Sequence, residues 1–345
     1  MNVQWRPYGW NQPGAEELPP LRKNANFVGV LMLALVGASM TLPSGLLMLL
    51  QVLGAADLAQ VNYGLDKMGY LFFQTAAYLL YLALPAIVVA LIMRRDLRPF
   101  PSRRVQPSVL IPAVMVGLGL MVLANLVASI LMNILSAFGL PRPTSIDTMD
   151  TTVLSLVLNL VSTAVLPALV EEMVFRGYIL GALRPQGDGL AIVFSAVFFG
   201  LLHGNLLQIP FAFILGLIFG YLTVQTGSIW PAVLLHFLNN AFSVVLQYAA
   251  QFLPDLDSIG MLNGAAFTVM AVLGVIGAAV LWAGHRPGDT APQAVLRPVG
   301  NGFSALSVPR RVGQILLSPT VILSLAGLLA ITALNVVSSI VGQPS

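Results

Sequence analysis

The sequence contains no cysteine and very little charge. The absence of cysteine among 345 residues excludes disulfides, a cysteine nucleophile, thiolate metal sites and prenylation of this chain. Charged residues make up only 8% of the chain, against about 25% in soluble domains. Hydrophobic residues make up 57%, and the mean hydropathy is +0.88. Because a soluble fold of this length needs more polar surface, we expect an integral membrane protein.

The hydrophobic residues form continuous runs rather than alternating patterns. Most runs reach the roughly 20 residues that a helix needs to cross a bilayer, which excludes a transmembrane β-barrel and predicts an all-α, polytopic helix bundle. We expect about nine spans, or eight if the short fifth run does not cross. The first run is too long for the core of a signal peptide, so no cleaved signal is expected. The predicted helices are Phe27–Leu53, Tyr70–Met93, Ser108–Phe138, Thr152–Tyr178, Leu190–His203, Leu206–Gln225, Ile229–Ala250, Leu262–Ala283 and Pro319–Val341.

The distribution of lysine and arginine favours a cytoplasmic N-terminus. With that orientation, every Lys and Arg except Lys67 and Arg142 falls on the cytoplasmic side, in agreement with the positive-inside rule. This sidedness accounts for the net charge of +3 and the pI of 9.4. We therefore expect membrane lipid, and no nucleic acid, as a partner. The predicted location is the cell membrane, with the C-terminus outside if nine helices cross.

Four regions are predicted along the chain. Residues 1–26 form a cytoplasmic tail, 27–150 accessory helices, 151–250 a central helix core, and 251–345 C-terminal helices with a cytoplasmic loop at 285–318. Arg310 and Arg311 lie beside apolar residues in that loop. They indicate either an interfacial stretch or a flexible loop attracted to anionic lipid.

Two adjacent carboxylates end the apolar run Thr151–Pro167, which carries no charge. An ionisable group at bilayer depth costs at least about 2.5 kcal/mol, so such groups need partners. On a helix, Glu172 and Arg176 share a face, whereas Glu171 points about 100° away. Glu172 is thus predicted to pair with Arg176, leaving Glu171 free to act as a general base. The alternative is a helix end at the headgroups, with the charges in water.

Two histidines lie in the apolar stretches that follow. His203 ends the segment Phe199-Gly-Leu-Leu-His203, and His236 stands one helical turn before Asn240. His203 is a candidate to polarise a water molecule, since imidazole titrates near neutrality. His236 and Asn240 share a face and are candidates to donate hydrogen bonds to one oxyanion. A structural histidine and an interhelical polar clamp are the respective alternatives.

The clustering of these residues favours a functional site. No other predicted helix contains a histidine or a carboxylate, although several contain amides. The zinc signature His-Glu-x-x-His is absent. If a metal is present, Glu171, His203 and His236 are the candidate ligands, with water as the fourth. The sequence leaves metal dependence open, with zinc as the candidate metal and no cofactor strictly required.

Three motifs in this order resemble the CPBP family of intramembrane proteases, the CAAX-protease and bacteriocin-processing group. That family carries Glu-Glu-x-x-x-Arg, then Phe-x-x-x-His, then His-x-x-x-Asn. The corresponding segments here are Glu171-Glu172-Met-Val-Phe-Arg176, Phe199-Gly-Leu-Leu-His203 and His236-Phe-Leu-Asn-Asn240. The resemblance covers about Val153 to Tyr248, which is under a third of the chain.

The resemblance implies a hydrolase that cleaves membrane-associated peptides or protein tails, including lipidated ones, from the cytoplasmic side. The family is often called metalloprotease, yet it is able to work by glutamate catalysis without a metal. Two functions of other classes remain as alternatives: a non-catalytic immunity or scaffold protein on the same fold, and an ion- or proton-coupled transporter. The implied roles are water activation by Glu171 and His203, oxyanion stabilisation by His236 and Asn240, and support of the site or substrate by Glu172 and Arg176.

The predicted helix bounds leave one conflict about depth. His203 lies roughly 20 Å along its helix from the cytoplasmic side, whereas Glu171 and His236 lie only about 7–10 Å from that side. These three side chains can meet only if the fifth helix tilts, re-enters the membrane or starts outside the bilayer. We expect a site in the cytoplasmic half of the membrane. Pro167 leaves a helical carbonyl without its donor and is expected to help open a cavity there.

Overall fold

The structure is a computed structural model that describes residues 21–93, 102–138, 148–253, 255–283 and 307–341. These residues form helices and no strand; the single β-bridge among them joins Ser102 and Ser228. Eight helices are long and apolar enough to span a membrane, so the chain is a polytopic, multi-pass integral membrane protein. The helices are α1 (Leu21–Val52), α2 (Lys67–Ile92), α3 (Pro107–Ala137), α4 (Val153–Gln186), α5 (Asp188–Leu202), α6 (Gln208–Thr226), α7 (Trp230–Ala250), α8 (Leu256–Ala283), α9 (Val308–Leu316) and α10 (Pro319–Val341).

Each of the nine predicted runs is a helix, and the fifth is the short one. Helix α5 has 15 residues and is about 22 Å long, less than the roughly 30 Å of a hydrocarbon core. The helix lengths therefore fit the alternative of eight spans rather than the nine expected first. The orientation of the N-terminus stays a prediction. Residues 1–20, Arg142 and most of the predicted loop 285–318 lie outside the described residues.

Two predicted bounds were wrong. Residues 21–26 were assigned to a tail, but they belong to α1, because Leu21 and Ala25 are buried against the rest of the bundle. The fourth helix was expected to end at Tyr178, but α4 stays helical to Gln186. The polar residues around Arg184 are typical of a loop. In the structure, however, Arg184 forms an ion pair with Asp188 at the start of α5, and this ion pair links the two helix ends.

The extension of α4 removes the conflict about depth. Gly187 has φ 126°, a backbone conformation open to glycine, and it turns α4 directly into α5. The two helices run antiparallel: the Ser195 hydroxyl donates to the Phe175 carbonyl at 2.8 Å. Equal numbers of residues separate Glu171 and His203 from Gly187. Both residues therefore lie roughly 20 Å from the turn, at the same level of the hairpin.

Helix α4 is irregular on both sides of its carboxylates. Wider π-helical turns occupy Leu160–Val165 and Met173–Leu180, and Pro167 lies between them. Helix α2 has a similar π-turn at Leu79–Ala83, just before Pro85. Such turns re-aim side chains and are frequent at functional sites. In this bundle the turns of α2 and α4 flank the same carboxylate, as described below.

The remaining helices surround the α4–α7 core. Helix α3 contacts α6, α7 and α8, and helix α1 contacts α2 and α10. The amphipathic helix α9 lies against α1, and the buried Arg311 guanidinium donates to the Gln186 carbonyl at the end of α4. The segment 308–316 is thus a docked helix rather than the flexible loop considered above.

Candidate active site

A buried network joins α4 to α7. One Glu172 oxygen, Oε1, accepts hydrogen bonds from Arg176 Nη1 at 3.0 Å and from His236 Nδ1 at 2.9 Å. The side chains of Glu172 and Arg176 are 0% exposed, and that of His236 is 5% exposed. Since the carboxylate accepts from His236 Nδ1, the second ring nitrogen, Nε2, is directed elsewhere. The predicted pairing of Glu172 with Arg176 is present, and His236 is a third member.

Two aromatic rings enclose the Arg176 guanidinium. Its central carbon lies 4.6 Å from the Phe199 ring centre and 5.2 Å from that of Phe219. Phe219 also stacks on His236, with ring centres 5.2 Å apart and planes at 22°. A charge in such a dry setting interacts with the ring faces, and its loss would leave Glu172 without its main partner. The arrangement holds Glu172 and His236 in one geometry.

Glu171 has quite different surroundings. Its side chain is 14% exposed, and it makes no ion pair with Arg176 among the described residues. Oε1 accepts a hydrogen bond from the Tyr78 hydroxyl at 3.1 Å, and Oε2 faces His236 Nε2 at 3.8 Å. The second distance is too long for a hydrogen bond. Glu171 therefore keeps an oxygen available to another group beside the His236 ring.

His203 lies near the network but has no hydrogen bond with Glu171 among the described residues. Its ring is exposed, and Nδ1 is 2.9 Å from the Phe199 carbonyl, which can only accept, so Nδ1 carries the proton. If the ring carries only this proton, Nε2 is an acceptor. Phe199 contacts both imidazoles, with ring centres 5.1 Å from His203 and 5.8 Å from His236. The structure thus brings His203 to the edge of the site.

Asn240 is bonded to the backbone of α4. Its side-chain amide donates to the Thr163 carbonyl at 3.1 Å, and its oxygen accepts from the Asn239 amide at 2.9 Å. In an α-helix the Thr163 carbonyl would accept from residue 167, but Pro167 has no N–H. Asn240 therefore supplies the missing donor at this point. The bond joins α7 to the irregular part of α4 that precedes Pro167.

The proposed metal ligands do not converge. Within the described parts of the chain, no three histidine or acidic side chains are grouped as a metal would require. His203 is bonded to the Phe199 carbonyl rather than placed with Glu171 and His236. The set Glu171, His203 and His236 therefore does not fit a three-ligand zinc site in this arrangement, and no chemical step below uses a metal.

Several contributors to the site were missed from the sequence. Tyr78 lies in another helix, far along the chain from Glu171, and no local pattern marks it. Gly216 is the second such residue. It does pack closely, since a Cβ there would be 2.9 Å from Ala196 Cα, but its carbonyl also accepts a hydrogen bond from Arg176 at 3.1 Å. No local pattern in the sequence marks this contact, because 40 residues separate Arg176 from Gly216.

Comparisons with known proteins agree with the motifs. The family model described as Type II CAAX prenyl endopeptidase Rce1-like matches residues 153–242. A Bacillus subtilis (strain 168) protein named "Putative membrane peptidase YdiL" is 30% identical over 91 residues, which are 26% of this chain and 37% of that protein. The chain thus spans little more than a third of that relative. No solved structure matches the chain. Residues 153–242, which carry all three motifs, are therefore similar to the Rce1-like family model, and they lie within a multi-pass membrane protein.

Proposed function

We propose that the protein is an intramembrane endopeptidase that hydrolyses membrane-associated peptides or protein tails. One observation carries the proposal: two adjacent carboxylates have opposite surroundings. Glu172 is fully buried and paired with Arg176, whereas Glu171 is partly exposed and lies 3.8 Å from His236 Nε2. A hydrolytic site needs both kinds of carboxylate, one to hold the site together and one to take a proton.

Glu171 is the general base in this mechanism. Its carboxylate removes a proton from a water molecule, and the water oxygen forms a bond to the carbonyl carbon of the scissile peptide. The carbonyl π electrons move to the oxygen, which becomes an oxyanion. When the C–N bond breaks, Glu171 returns the proton to the leaving amine, so the enzyme ends unchanged. His203, with Nε2 available, is assigned to the same water.

His236 and Asn240 are assigned to the oxyanion. When protonated, His236 donates through Nε2, because Nδ1 is already bonded to Glu172. Asn240 uses one amide hydrogen on the Thr163 carbonyl and has a second one for the oxyanion. Donors fixed in advance cost no reorganisation during the reaction. With His236 protonated, the charges of Glu171, Glu172, Arg176 and His236 balance, which suits a site surrounded by lipid.

The substrate class follows from the location of the site. Glu171 lies about halfway along the 34-residue helix α4, so the scissile bond must enter the helix bundle. A peptide held at the membrane by a lipid group or an apolar segment satisfies this requirement. The matched family model names prenyl endopeptidases, and a prenylated C-terminal peptide is therefore the first substrate to test. Unprenylated lipid-associated peptides form the second group.

The test uses purified full-length protein in proteoliposomes with a fluorogenic peptide from each group. The wild type should cleave at least one peptide, and Glu171→Gln should reduce kcat by about 100-fold or more, the range expected for loss of a general base. Asp257→Asn, an exposed carboxylate in α8, is the matched control and should keep full activity. Full turnover by the Glu171→Gln variant would refute the mechanism. Proton or ion flux without cleavage would instead support the transporter.

A further inference from the structure

Tyr78 contacts the proposed base from outside the region that matches the protease family. It belongs to α2, whereas the family match covers residues 153–242. Its hydroxyl lies 3.1 Å from Glu171 Oε1 and is the donor of that bond if the carboxylate is ionised. No motif in the sequence marks this contact, because 93 residues separate the two side chains.

The two oxygens of Glu171 have different neighbours. Tyr78 contacts Oε1, and His236 Nε2 faces Oε2. A carboxylate on a flexible two-carbon stem turns freely unless one of its oxygens is held. With Oε1 held by the phenol, Oε2 is directed to the space beside the imidazole, where Nε2 of His236, an oxyanion donor of the proposed mechanism, lies. The bond therefore selects the orientation that proton abstraction needs.

Tyr78 is itself held in place. It is the last α-helical residue before the π-turn Leu79–Ala83, a turn that changes the direction in which the following side chains point. Its ring packs edge-to-face on Tyr81, with ring centres 5.6 Å apart. The hydroxyl of Tyr81, by contrast, makes no hydrogen bond within the described part of the chain. The chain thus offers two neighbouring half-buried tyrosines, of which one contacts the base.

We propose that Tyr78 is a positioning residue of the hydrolytic site, which orients the Glu171 carboxylate through its hydroxyl. This inference rests on the proposed function, because it assigns Tyr78 a task only if Glu171 is the base. It also assigns the accessory helix α2 a part in the reaction.

Removing the hydroxyl should lower kcat and leave KM nearly unchanged, since Tyr78 acts on the base rather than on distant parts of the substrate. Loss of a hydrogen bond to a charged group predicts about a 10- to 100-fold fall in kcat for Tyr78→Phe. The acidic limb of the pH–kcat/KM profile should also move to higher pH, because the carboxylate loses a donor that favours its ionised form. Tyr81→Phe is the matched control and should change neither kcat nor the acidic limb of the pH profile.

The other titratable groups around Glu171 are unchanged in Tyr78→Phe. They are Glu172 and Arg176 on its own helix, His236 on α7, His203 at the end of α5, and Tyr81 on α2. A second variant separates the hydrogen bond from packing. Incorporation of 3-fluorotyrosine at position 78 keeps the ring and makes the hydroxyl a stronger donor, so the acidic limb should move to lower pH, opposite to the shift in Tyr78→Phe.

The outcomes separate this inference from the proposed function. If Glu171→Gln is inactive while Tyr78→Phe matches Tyr81→Phe in kcat and pH profile, the role of Tyr78 is overturned and the proposed function stands. If Glu171→Gln is fully active, the proposed function fails first. If Tyr78→Phe does not fold, the fluorotyrosine variant decides: a shift to lower pH supports the role, and an unchanged profile overturns it.

Discussion

The α4–α7 core and the α3–α8 pair differ in the contacts that join their helices. In the core, Arg176, Glu172 and His236 bond across helices in a fully buried network. In the α3–α8 pair, Gly119 and Gly274 bring the backbones together, and a Cβ on Gly274 would lie 2.7 Å from Gly119 Cα. Within the described residues, no side-chain hydrogen bond joins α3 to α8.

The difference separates contacts that we assign to the proposed chemistry from contacts that only hold helices together. Close packing of small residues is enough to hold two helices together in lipid. Buried charges add little net stability over apolar residues of the same shape, although removing one partner alone is costly. The proposed reaction therefore gives these core charges a reason that packing alone does not give. The following predictions test this comparison, from the largest expected effect to the smallest.

Removal of the Arg176 charge should have the largest effect on stability. Arg176→Gln leaves Glu172 buried with His236 as its remaining partner, and the loss of half a buried ion pair typically costs about 3–5 kcal/mol. Arg310→Gln, an exposed arginine in α9, is the control and should stay within about 0.5 kcal/mol of wild type. Unfolding in mixed micelles measures both. Equal stability of the two variants would contradict the importance of the core network.

A methyl group at the α3–α8 contact should destabilise the bundle without changing the chemistry. Gly274→Ala puts a Cβ against the Gly119 backbone, and overpacking of this kind costs about 1–3 kcal/mol. Gly264→Ala on the same helix has open space around the new Cβ and should be neutral. The unfolding midpoint should fall only for Gly274→Ala, with kcat per folded molecule and its pH profile retained in both variants. A changed pH profile in Gly274→Ala would link this pair to the site.

The bond between Asn240 and the Thr163 carbonyl should depend on Pro167. Asn240→Ala removes the donor and should cost about 0.6 kcal/mol, the average for such bonds in membranes. In a Pro167→Ala background the helix regains its own N–H donor for that carbonyl, so the same substitution should cost less. A double-mutant cycle on the free energy of unfolding measures the coupling. Strict additivity would show that the two residues do not share this carbonyl.

Acidification should have the smallest effect, at the start of α4. The Thr152 hydroxyl and N–H donate to Asp150 and hold the pKa of that carboxyl below its ordinary value, and Lys67 acts in the same direction. A lowered pKa in the folded state means stability that is present above the ordinary value, about pH 4, and lost as pH falls through the folded value. Thermal unfolding between pH 5 and 2.5 should show this loss in wild type and less of it in Asp150→Asn. Identical pH dependence would contradict it.

Local spacing predicted much of the site, and long-range contacts supplied the rest. The pairing of Glu172 with Arg176 follows from two residues one helical turn apart, and the apolar runs predict the helices well. The contact of Tyr78 with Glu171 depends on how α2 packs against α4, which no periodicity encodes. The extension of α4 to Gln186 was missed because the polar residues around Arg184 are typical of a loop. In the structure, Arg184 instead forms an ion pair with Asp188 between the ends of two helices.

The central claim is that Glu171 and Glu172 have different tasks, and paired glutamine variants test it most directly. We would measure kcat and the unfolding midpoint on the same preparations of Glu171→Gln and Glu172→Gln, which separates a catalytic task from a structural one. The account predicts that Glu171→Gln loses turnover and keeps its stability, while Glu172→Gln loses stability because Arg176 is left without its carboxylate. A parallel loss of turnover and stability in both variants, or full turnover in Glu171→Gln, would contradict it.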